Sequence, residues 1–237
     1  MSNSMSEDDK TLILAFYVVV DVSLSMTGEP VSAANEILPE VVDHVSNSPS
    51  LSDVVRMGAF DFSDDARVLV HLSDLRDVDK IPQFSVRGGT SYAAAFRLLR
   101  QEIEKDLAQL KADGYKVYRP AVFFITDGGP TDDMADLQKA FEHLTEKSFK
   151  GRPNLIPFGV GSATKALLDP WVFPKPGDSG KPMRSFVQKG GVSAPDAIRQ
   201  VTEILISSIV ASAQSVNDGG TQGGFIPPDA DDLDDWI

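Results

Sequence analysis

Cysteine is absent from the 237-residue sequence. Disulfides, zinc–thiolate sites and thiol nucleophiles are therefore excluded, and a chain without cysteine fits a reducing compartment. Long apolar runs are missing too: residues 12–20 are too few to span a bilayer and are typical of a buried strand. The first ten residues are polar and acidic and show no secretory signal. Together these features predict a cytoplasmic protein without a membrane segment.

Positive charge is scarce. The chain has 22 Lys and Arg residues against 35 Asp and Glu, which gives a formal net charge of −13. Such a surface repels the phosphates of nucleic acids and anionic lipids, so neither is expected as a partner. Histidine is rare as well, and its three occurrences show no metal-ligand spacing, so we interpret them as structural or surface residues: His44, His71 and His143.

Strand-like and helix-like segments alternate along the chain. Apolar, β-branched stretches predict strands at residues 11–20, 54–62, 66–72, 118–126, 154–160 and 186–187. Apolar residues at helical spacing predict helices over about 31–45, 92–110, 132–147 and 194–214. The short connection at residues 63–65 indicates a hairpin and hence an antiparallel edge strand. We expect an α/β fold with a Rossmann-like, doubly wound, mostly parallel sheet of about five or six strands, one antiparallel edge strand and helices on both faces.

The two ends of the sequence differ in composition from the middle. Residues 1–10 are expected to be a disordered N-terminus, 11–214 the folded domain, and 215–237 a Gly-rich linker with an acidic tail. A solvated, disordered end is the commonest fate of such a tail. Two alternatives stay open. The apolar residues Leu233, Trp236 and Ile237 could form a short linear motif, or a tail aspartate could occupy a site on its own or a neighbouring molecule.

Oxygen-bearing side chains follow the predicted strands at their carboxyl ends, where open α/β sheets bind ligands. Asp21, Ser23 and Ser25 come after the first strand, and Asp127 comes after the strand that ends at residue 126. Thr90 opens a helix between them. Two carboxylates and three hydroxyls suit a hard cation, so we expect Mg²⁺, with Mn²⁺ or Ca²⁺ as alternatives.

The pattern Asp21-x-Ser23-x-Ser25, a distant Thr90 in a Gly-Gly-Thr context, and Asp127 followed by glycine resemble the metal-ion-dependent adhesion site of von Willebrand factor A domains. The resemblance covers roughly residues 12–214. It implies that Ser23, Ser25 and Thr90 are direct metal ligands, and that Asp21 and Asp127 are direct or water-bridged ligands. It also implies a protein–protein interaction module rather than an enzyme, in which an Asp or Glu of the partner reaches the metal.

Residues 17–30, residues 124–132 and the helix after residue 192 resemble more narrowly the intracellular bacterial A-domain proteins of tellurium-resistance gene clusters. This resemblance implies a cytoplasmic role in stress response or signalling, beside kinase-like or phosphatase-like partners.

Two other functions stay open. A metal-dependent phosphatase or phospho-acceptor domain would use Asp21, but such phosphatases need a second carboxylate two positions later, where this chain has Ser23. A structural subunit would use the metal to stabilise the sheet edge alone. Asp61 also ends an apolar strand, and we expect it either to support the site or to be a solvated edge residue.

Overall fold

A computed structural model of the chain describes residues 11–217, 224–229 and 235–237. The predicted disorder of residues 1–10 lies outside the described residues. The strands are β1 (Leu12–Asp21), β2 (Val55–Phe62), β3 (Ala66–Ser73), β4 (Lys116–Val117), β5 (Ala121–Thr126), β6 (Asn154–Gly159) and β7 (Phe186–Val187). The helices are α1 (Glu29–Ser46), α2 (Pro49–Ser52), α3 (Tyr92–Ala112), α4 (Met134–Thr145), α5 (Lys165–Leu168) and α6 (Ala194–Asn217).

The strands form one sheet in the order β3-β2-β1-β5-β6-β7, with β4 paired to the start of β1. β2 and β3 are antiparallel, and the other paired strands named above are parallel. The predicted fold class, including the antiparallel edge strand, is therefore confirmed. β1 lies at the centre of the sheet, so Asp21 at its end lies in the middle of the carboxyl edge.

The sheet has seven strands rather than the predicted five or six. The additional strand among the described residues is β4, which lies just before the strand predicted at residues 118–126. Pro120 has no N–H to give to the ladder, and β5 begins after it, at Ala121. Residues 118–120 of the predicted strand therefore lie in no strand.

Both faces of the sheet are covered, as expected for a doubly wound fold. Alternate residues of β1 point into two separate cores. Leu14, Phe16 and Val18 join the core that includes residues of α1 and α6, while Tyr17 and Val19 join the core that includes residues of α3 and α4. In the described part of the chain no helix is long and apolar enough to cross a membrane.

Phe225, in the described part of the tail, packs against the domain. The ring centroid of Phe225 lies 6.0 Å from that of Phe16 and 6.2 Å from that of Phe123. These contacts bury an aromatic ring on the sheet, which stabilises the folded chain through apolar burial. Phe225 thus packs on the sheet, while Ile226 and Asp229 beside it stay exposed.

Residues at the end of the sequence add a short pairing to the edge strand β7. Val187 and Ile237 exchange two backbone hydrogen bonds, each 3.0 Å long. Trp236 is 5% exposed, and its ring centroid lies 5.6 Å from that of Phe158. Its Nε1 donates to Gln200 Oε1 of α6 at 3.0 Å. This pairing covers part of an otherwise open sheet edge.

Candidate metal site

Asp21 is buried at the point where β1 ends, with 0% of its surface exposed. The backbone N–H of Ser23 donates to Asp21 Oδ1 at 2.8 Å, and the hydroxyl of Thr126 donates to Oδ2 at 2.7 Å. β1 and β5 are neighbours in the sheet, which brings Thr126 beside Asp21. Two elements therefore fix the orientation of this carboxylate.

Ser23, Ser25 and Asp127 form a connected run of polar side chains beside Asp21. The hydroxyl oxygens of Ser23 and Ser25 lie 3.0 Å apart, and Ser25 donates to Asp127 Oδ1 at 2.8 Å. Ser23 and Asp127 are buried, whereas Ser25 is exposed. The structure thus brings four of the five predicted residues into one hydrogen-bonded group with an opening to solvent at Ser25.

Thr90 lies in a loop that contacts both neighbouring loops of the site. The backbone N–H of Leu24 donates to Gly88 O at 3.1 Å, and the backbone N–H of Thr131 donates to Thr90 O at 2.8 Å. The N-cap of α3 is Ser91, which accepts from the Ala94 N–H, so the hydroxyl of Thr90 does not serve as the cap. Within the described residues no side-chain hydrogen bond joins Thr90 to the other four.

The two carboxylates of the site are poorly solvated. Burial raises the pKa of Asp21 to about 6, against the opposing effect of hydrogen bonds from Ser23 and Thr126, and the charge of Asp127 raises it further. Burial also raises the pKa of Asp127, while the hydrogen bond from Ser25 lowers it. Among the described residues no Lys or Arg forms an ion pair with either carboxylate. A bound cation would favour the charged form of both groups.

The donor set fits a hard divalent cation by its chemistry, because it consists of oxygen atoms alone. No group of three His, Cys, Asp or Glu side chains that could hold a metal exists among the residues described here. A cation at Asp21 and Asp127 would therefore depend on the hydroxyls of Ser23, Ser25 and Thr90 as well.

The sequence predictions missed two supporting residues of the site. Thr126 donates a hydrogen bond to Asp21. Its position at a strand end, directly before Asp127, could have indicated that it belongs to the site. Tyr92 was assigned only to the apolar side of a helix. Its hydroxyl donates to Gly128 O at 2.6 Å and lies 3.2 Å from Thr126 Oγ1, which fixes the loop after β5.

Asp61 supports the site from the neighbouring strand β2. It is 0% exposed and accepts hydrogen bonds of 2.6 Å from Nη2 of Arg67 and 2.6 Å from Nη2 of Arg87. The backbone N–H of Arg87 in turn donates to Val22 O at 2.7 Å. Of the two interpretations of Asp61, the solvated edge residue is wrong: Asp61 anchors the segment that leads into the Thr90 loop.

Three large apolar side chains are exposed on the segments that follow the strands carrying the site: a short 3-10 turn, the start of α4, and α5. Leu24 is 67% exposed after β1, Met134 is 62% exposed after β5, and Leu167 is 37% exposed after β6. Leu167 lies over Gly129, where an added Cβ would approach its Cδ2 to 3.3 Å. Exposed apolar groups next to a polar site are typical of protein interaction surfaces.

Residues 16–130 match the family of the von Willebrand factor type A domain. The matched segment is slightly less than half of the chain and contains all five residues of the candidate site. The predicted resemblance is thus confirmed for this segment at the level of the domain family. No curated protein matches the sequence significantly.

Solved structures share the fold at low sequence identity. Proximal thread matrix protein 1 from the mussel byssus has a TM-score of 0.53 and 14% identity, over 85% of this chain and 49% of that chain. The D319A mutant of the PilB minor pilin from Streptococcus sanguinis has a TM-score of 0.56 and 11% identity, over 90% of this chain and 64% of that one. The chain therefore spans less than two thirds of the length of these proteins, and the likeness concerns the fold alone.

Proposed function

We propose that this chain, through its von Willebrand factor A-type segment, is a metal-dependent protein–protein interaction module. Ser23, Ser25 and Thr90 would hold a divalent cation directly, and Asp21 and Asp127 would hold it directly or through water. Mg²⁺ is the proposed metal, with Mn²⁺ or Ca²⁺ as alternatives. The partner would offer an Asp or Glu side chain to the cation.

The observation that carries the proposal is the hydrogen-bonded group formed by Ser23, Ser25 and Asp127 beside the buried Asp21. Two poorly solvated carboxylates without a Lys or Arg ion-pair partner in the described chain are costly to keep charged. A divalent cation would remove that cost. Because three of the five proposed ligands are neutral hydroxyls, the two carboxylates would balance the charge of the cation without exceeding it, and an incoming carboxylate could still displace a water from it.

The surroundings of the site support a protein as the partner. Leu24, Met134 and Leu167 offer exposed apolar area on the segments that follow β1, β5 and β6, at the edge of the sheet that carries the exposed Ser25. Such contacts supply affinity that a single carboxylate cannot provide in water. The proposed ligand is therefore an acidic residue flanked by apolar side chains on a protein surface.

The geometry favours binding over phosphoryl transfer. A phosphatase or phospho-acceptor domain needs an accessible carboxylate as its nucleophile. Asp21 is fully buried, and both of its oxygens accept hydrogen bonds inside the protein. No observation on the described residues favours the catalytic alternative.

The cellular setting is proposed from sequence resemblance alone. The likeness to A-domain proteins of tellurium-resistance clusters supports a cytoplasmic bacterial assembly for stress response or signalling. Kinase-like or phosphatase-like proteins are the proposed partners there.

The test is a capture experiment with the full-length protein on beads and a lysate of its native source. It is run with Mg²⁺, with EDTA, and with Ser23→Ala in Mg²⁺. Ser207→Ala serves as the control, because Ser207 is exposed on α6, a helix that contributes no residue to the site. We expect a partner to be captured in Mg²⁺ by the native protein and by Ser207→Ala, and to be lost in EDTA and with Ser23→Ala. Equal capture in all four samples would contradict the proposal.

A further inference from the structure

Two arginines converge on one serine at the amino edge of the sheet, opposite the candidate metal site. Arg119 precedes β5 and Arg152 precedes β6. Arg119 Nη1 donates to the backbone oxygen of Ser179 at 2.8 Å, and Arg152 Nη2 donates to the Ser179 hydroxyl oxygen at 3.1 Å. Ser179 is exposed in the loop of residues 174–183.

Neither guanidinium forms a salt bridge with a carboxylate among the described residues, although the charge of Asp178 acts on Arg119. Most arginines of the chain do form one, and the seven that pair with a carboxylate are Arg56, Arg67, Arg76, Arg87, Arg97, Arg100 and Arg199. Burial lowers the pKa of Arg119, the positive charge of Arg152 lowers it further, and the negative charge of Asp178 raises it in part. Two neighbouring cations without an ion-pair partner stand out in a chain with a net charge of −13.

Both side chains are held in place by other groups. Arg152 Nη1 donates to the backbone oxygens of Lys147 and Phe149 at 3.0 and 3.2 Å. The Arg119 guanidinium lies 5.9 Å from the ring centroid of Phe173. Gly180 has a φ of +116°, and an added Cβ there would come within 2.8 Å of Arg119 Nη1. A glycine after Ser179 thus lets the loop pass close to the guanidinium.

The loop itself is ordered by short-range hydrogen bonds. The backbone N–H of Lys175 donates to Asp178 Oδ2 at 2.9 Å, and the N–H of Asp178 donates back to Lys175 O at 3.0 Å. The N–H of Met183 donates to Pro174 O at 2.8 Å and closes the loop. Asp178 is the acidic residue nearest to Ser179 in sequence, and its carboxylate is bound to the Lys175 amide.

We propose that Ser179 is a phosphorylation site and that Arg119 and Arg152 hold its phosphate. A protein kinase would transfer the γ-phosphoryl group of ATP to Ser179 Oγ. The bond between the γ-phosphorus and the β–γ bridging oxygen breaks, ADP leaves, and the hydroxyl proton is released. The phosphate carries about −1.5 to −2 charges at neutral pH, which two guanidinium groups balance. Guanidinium groups bind phosphate through paired, charge-assisted hydrogen bonds.

The phosphate would join three segments that are separate in sequence. It would link the loop of residues 174–183 to the residue before Pro120 and to the turn before β6. Phosphorylated protein should therefore resist unfolding of this edge of the sheet better than the unmodified protein.

The experiment uses the full-length chain with phosphoserine installed genetically at position 179, followed by phosphorus NMR across pH. We expect the second ionisation of the phosphate to lie about one unit below the usual value near 6, because two cations favour the dianion. Arg119→Gln and Arg152→Gln should each reverse part of this shift, and the phosphorylated protein should melt at a higher temperature than the unmodified one. Phosphoserine at position 207, exposed on α6, is the control. An ionisation at 179 that equals the control, unchanged by either arginine variant, would overturn the proposal.

Two further arms separate a modification site from a site for free phosphate. Mass spectrometry of the protein purified from its native cells should find phosphate on Ser179. Inorganic phosphate should not raise the melting temperature of the unmodified protein beyond chloride at equal ionic strength. Stabilisation by inorganic phosphate with an unmodified Ser179 in native protein would overturn the modification and assign the arginines to a free anion.

Discussion

Asp21 combines full burial with a charge that the protein does not neutralise by an ion pair among the described residues. Its two oxygens accept from Ser23 and Thr126, and burial still raises its pKa to about 6. The hydrogen bonds therefore orient the carboxylate without fully compensating its desolvation. A bound cation would stabilise the charged carboxylate of Asp21 where these hydrogen bonds do not.

The raised pKa of Asp21 predicts a pH dependence of stability in EDTA. In the unfolded chain an aspartate titrates near 3.9, so the folded state binds the proton more tightly between about pH 4 and 6. The stability that protonated Asp21 contributes is fully present below about pH 4 and is lost as pH rises through about 6. Relative to Asp21→Asn, the native protein should lose about 2 kcal/mol of unfolding free energy between pH 4 and 7.

Urea unfolding of both proteins at several pH values measures this difference. Asn is a suitable reference because it is neutral at every pH and can still accept from the Ser23 N–H. Parallel stability curves for the two proteins would show that burial does not shift the pKa of Asp21.

Some residues of the site can be predicted from the sequence pattern, and others cannot. Asp21, Ser23, Ser25 and Asp127 are recognisable because polar residues directly after apolar strands stand out. Tyr92 is not recognisable, because its ring fits the apolar helix pattern and the pattern says nothing about its hydroxyl.

At the scale of elements, the site depends on a contact between the edge hairpin and the Thr90 loop. Asp61 of β2 binds Arg67 of β3 and Arg87 of the loop. The side chain of Asp61 is fully buried, whereas that of Arg87 is 20% exposed. A buried carboxylate with two cations thus fixes where the loop starts.

Asp61→Ala should lower the free energy of unfolding by about 2–3 kcal/mol, because it leaves partly buried guanidinium groups without their acceptor. Chemical denaturation measures the loss. Asp65→Ala is the matched control: Asp65 also pairs with Arg87 but its side chain is 68% exposed, so its removal should cost under about 1 kcal/mol. Equal effects of the two substitutions would contradict a special role for Asp61.

The elements themselves follow the sequence patterns closely, and the exceptions have local causes. The strand expected at residues 118–126 begins only at Ala121, after Pro120, and the two-residue strand β4 that precedes it is too short for any periodicity to show. The ends of α6 and of β1 extend one to three residues beyond the predicted limits, because apolar patterns do not mark where backbone hydrogen bonds stop.

At the scale of the whole molecule, the described tail residues complete the fold. The face of the sheet that carries α1 and α6 is also covered by Phe225 and Trp236. Composition alone could not predict this, since an acidic, Gly-rich segment has the general features of disorder. Phe225 and Trp236 nevertheless pack against the core of the domain.

Trp236→Ala should lower the free energy of unfolding by about 3 kcal/mol, because a nearly buried indole is removed from the core and its hydrogen bond to Gln200 is lost. Thermal or urea unfolding measures the change. Ile237→Ala is the control, since the Ile237 side chain is 56% exposed and its backbone pairing with Val187 remains. A native-like stability of Trp236→Ala would mean that the tail does not belong to the cooperative fold.

Thr90 gives the sharpest test of the proposal that five oxygen-bearing side chains hold a divalent cation. Its hydroxyl has no hydrogen-bond partner among the other four residues, and its side chain is nearly buried, so Thr90→Val keeps the shape and removes the ligand alone. The measurement is a calorimetric titration of the metal-free, full-length protein with Mn²⁺ and Mg²⁺, with Thr90→Val and Ser25→Ala in parallel. We expect one bound ion per chain in the native protein. In both variants the affinity for the metal ion should be at least about tenfold weaker. Equal affinity in all three proteins, or no binding to the native protein, would contradict it.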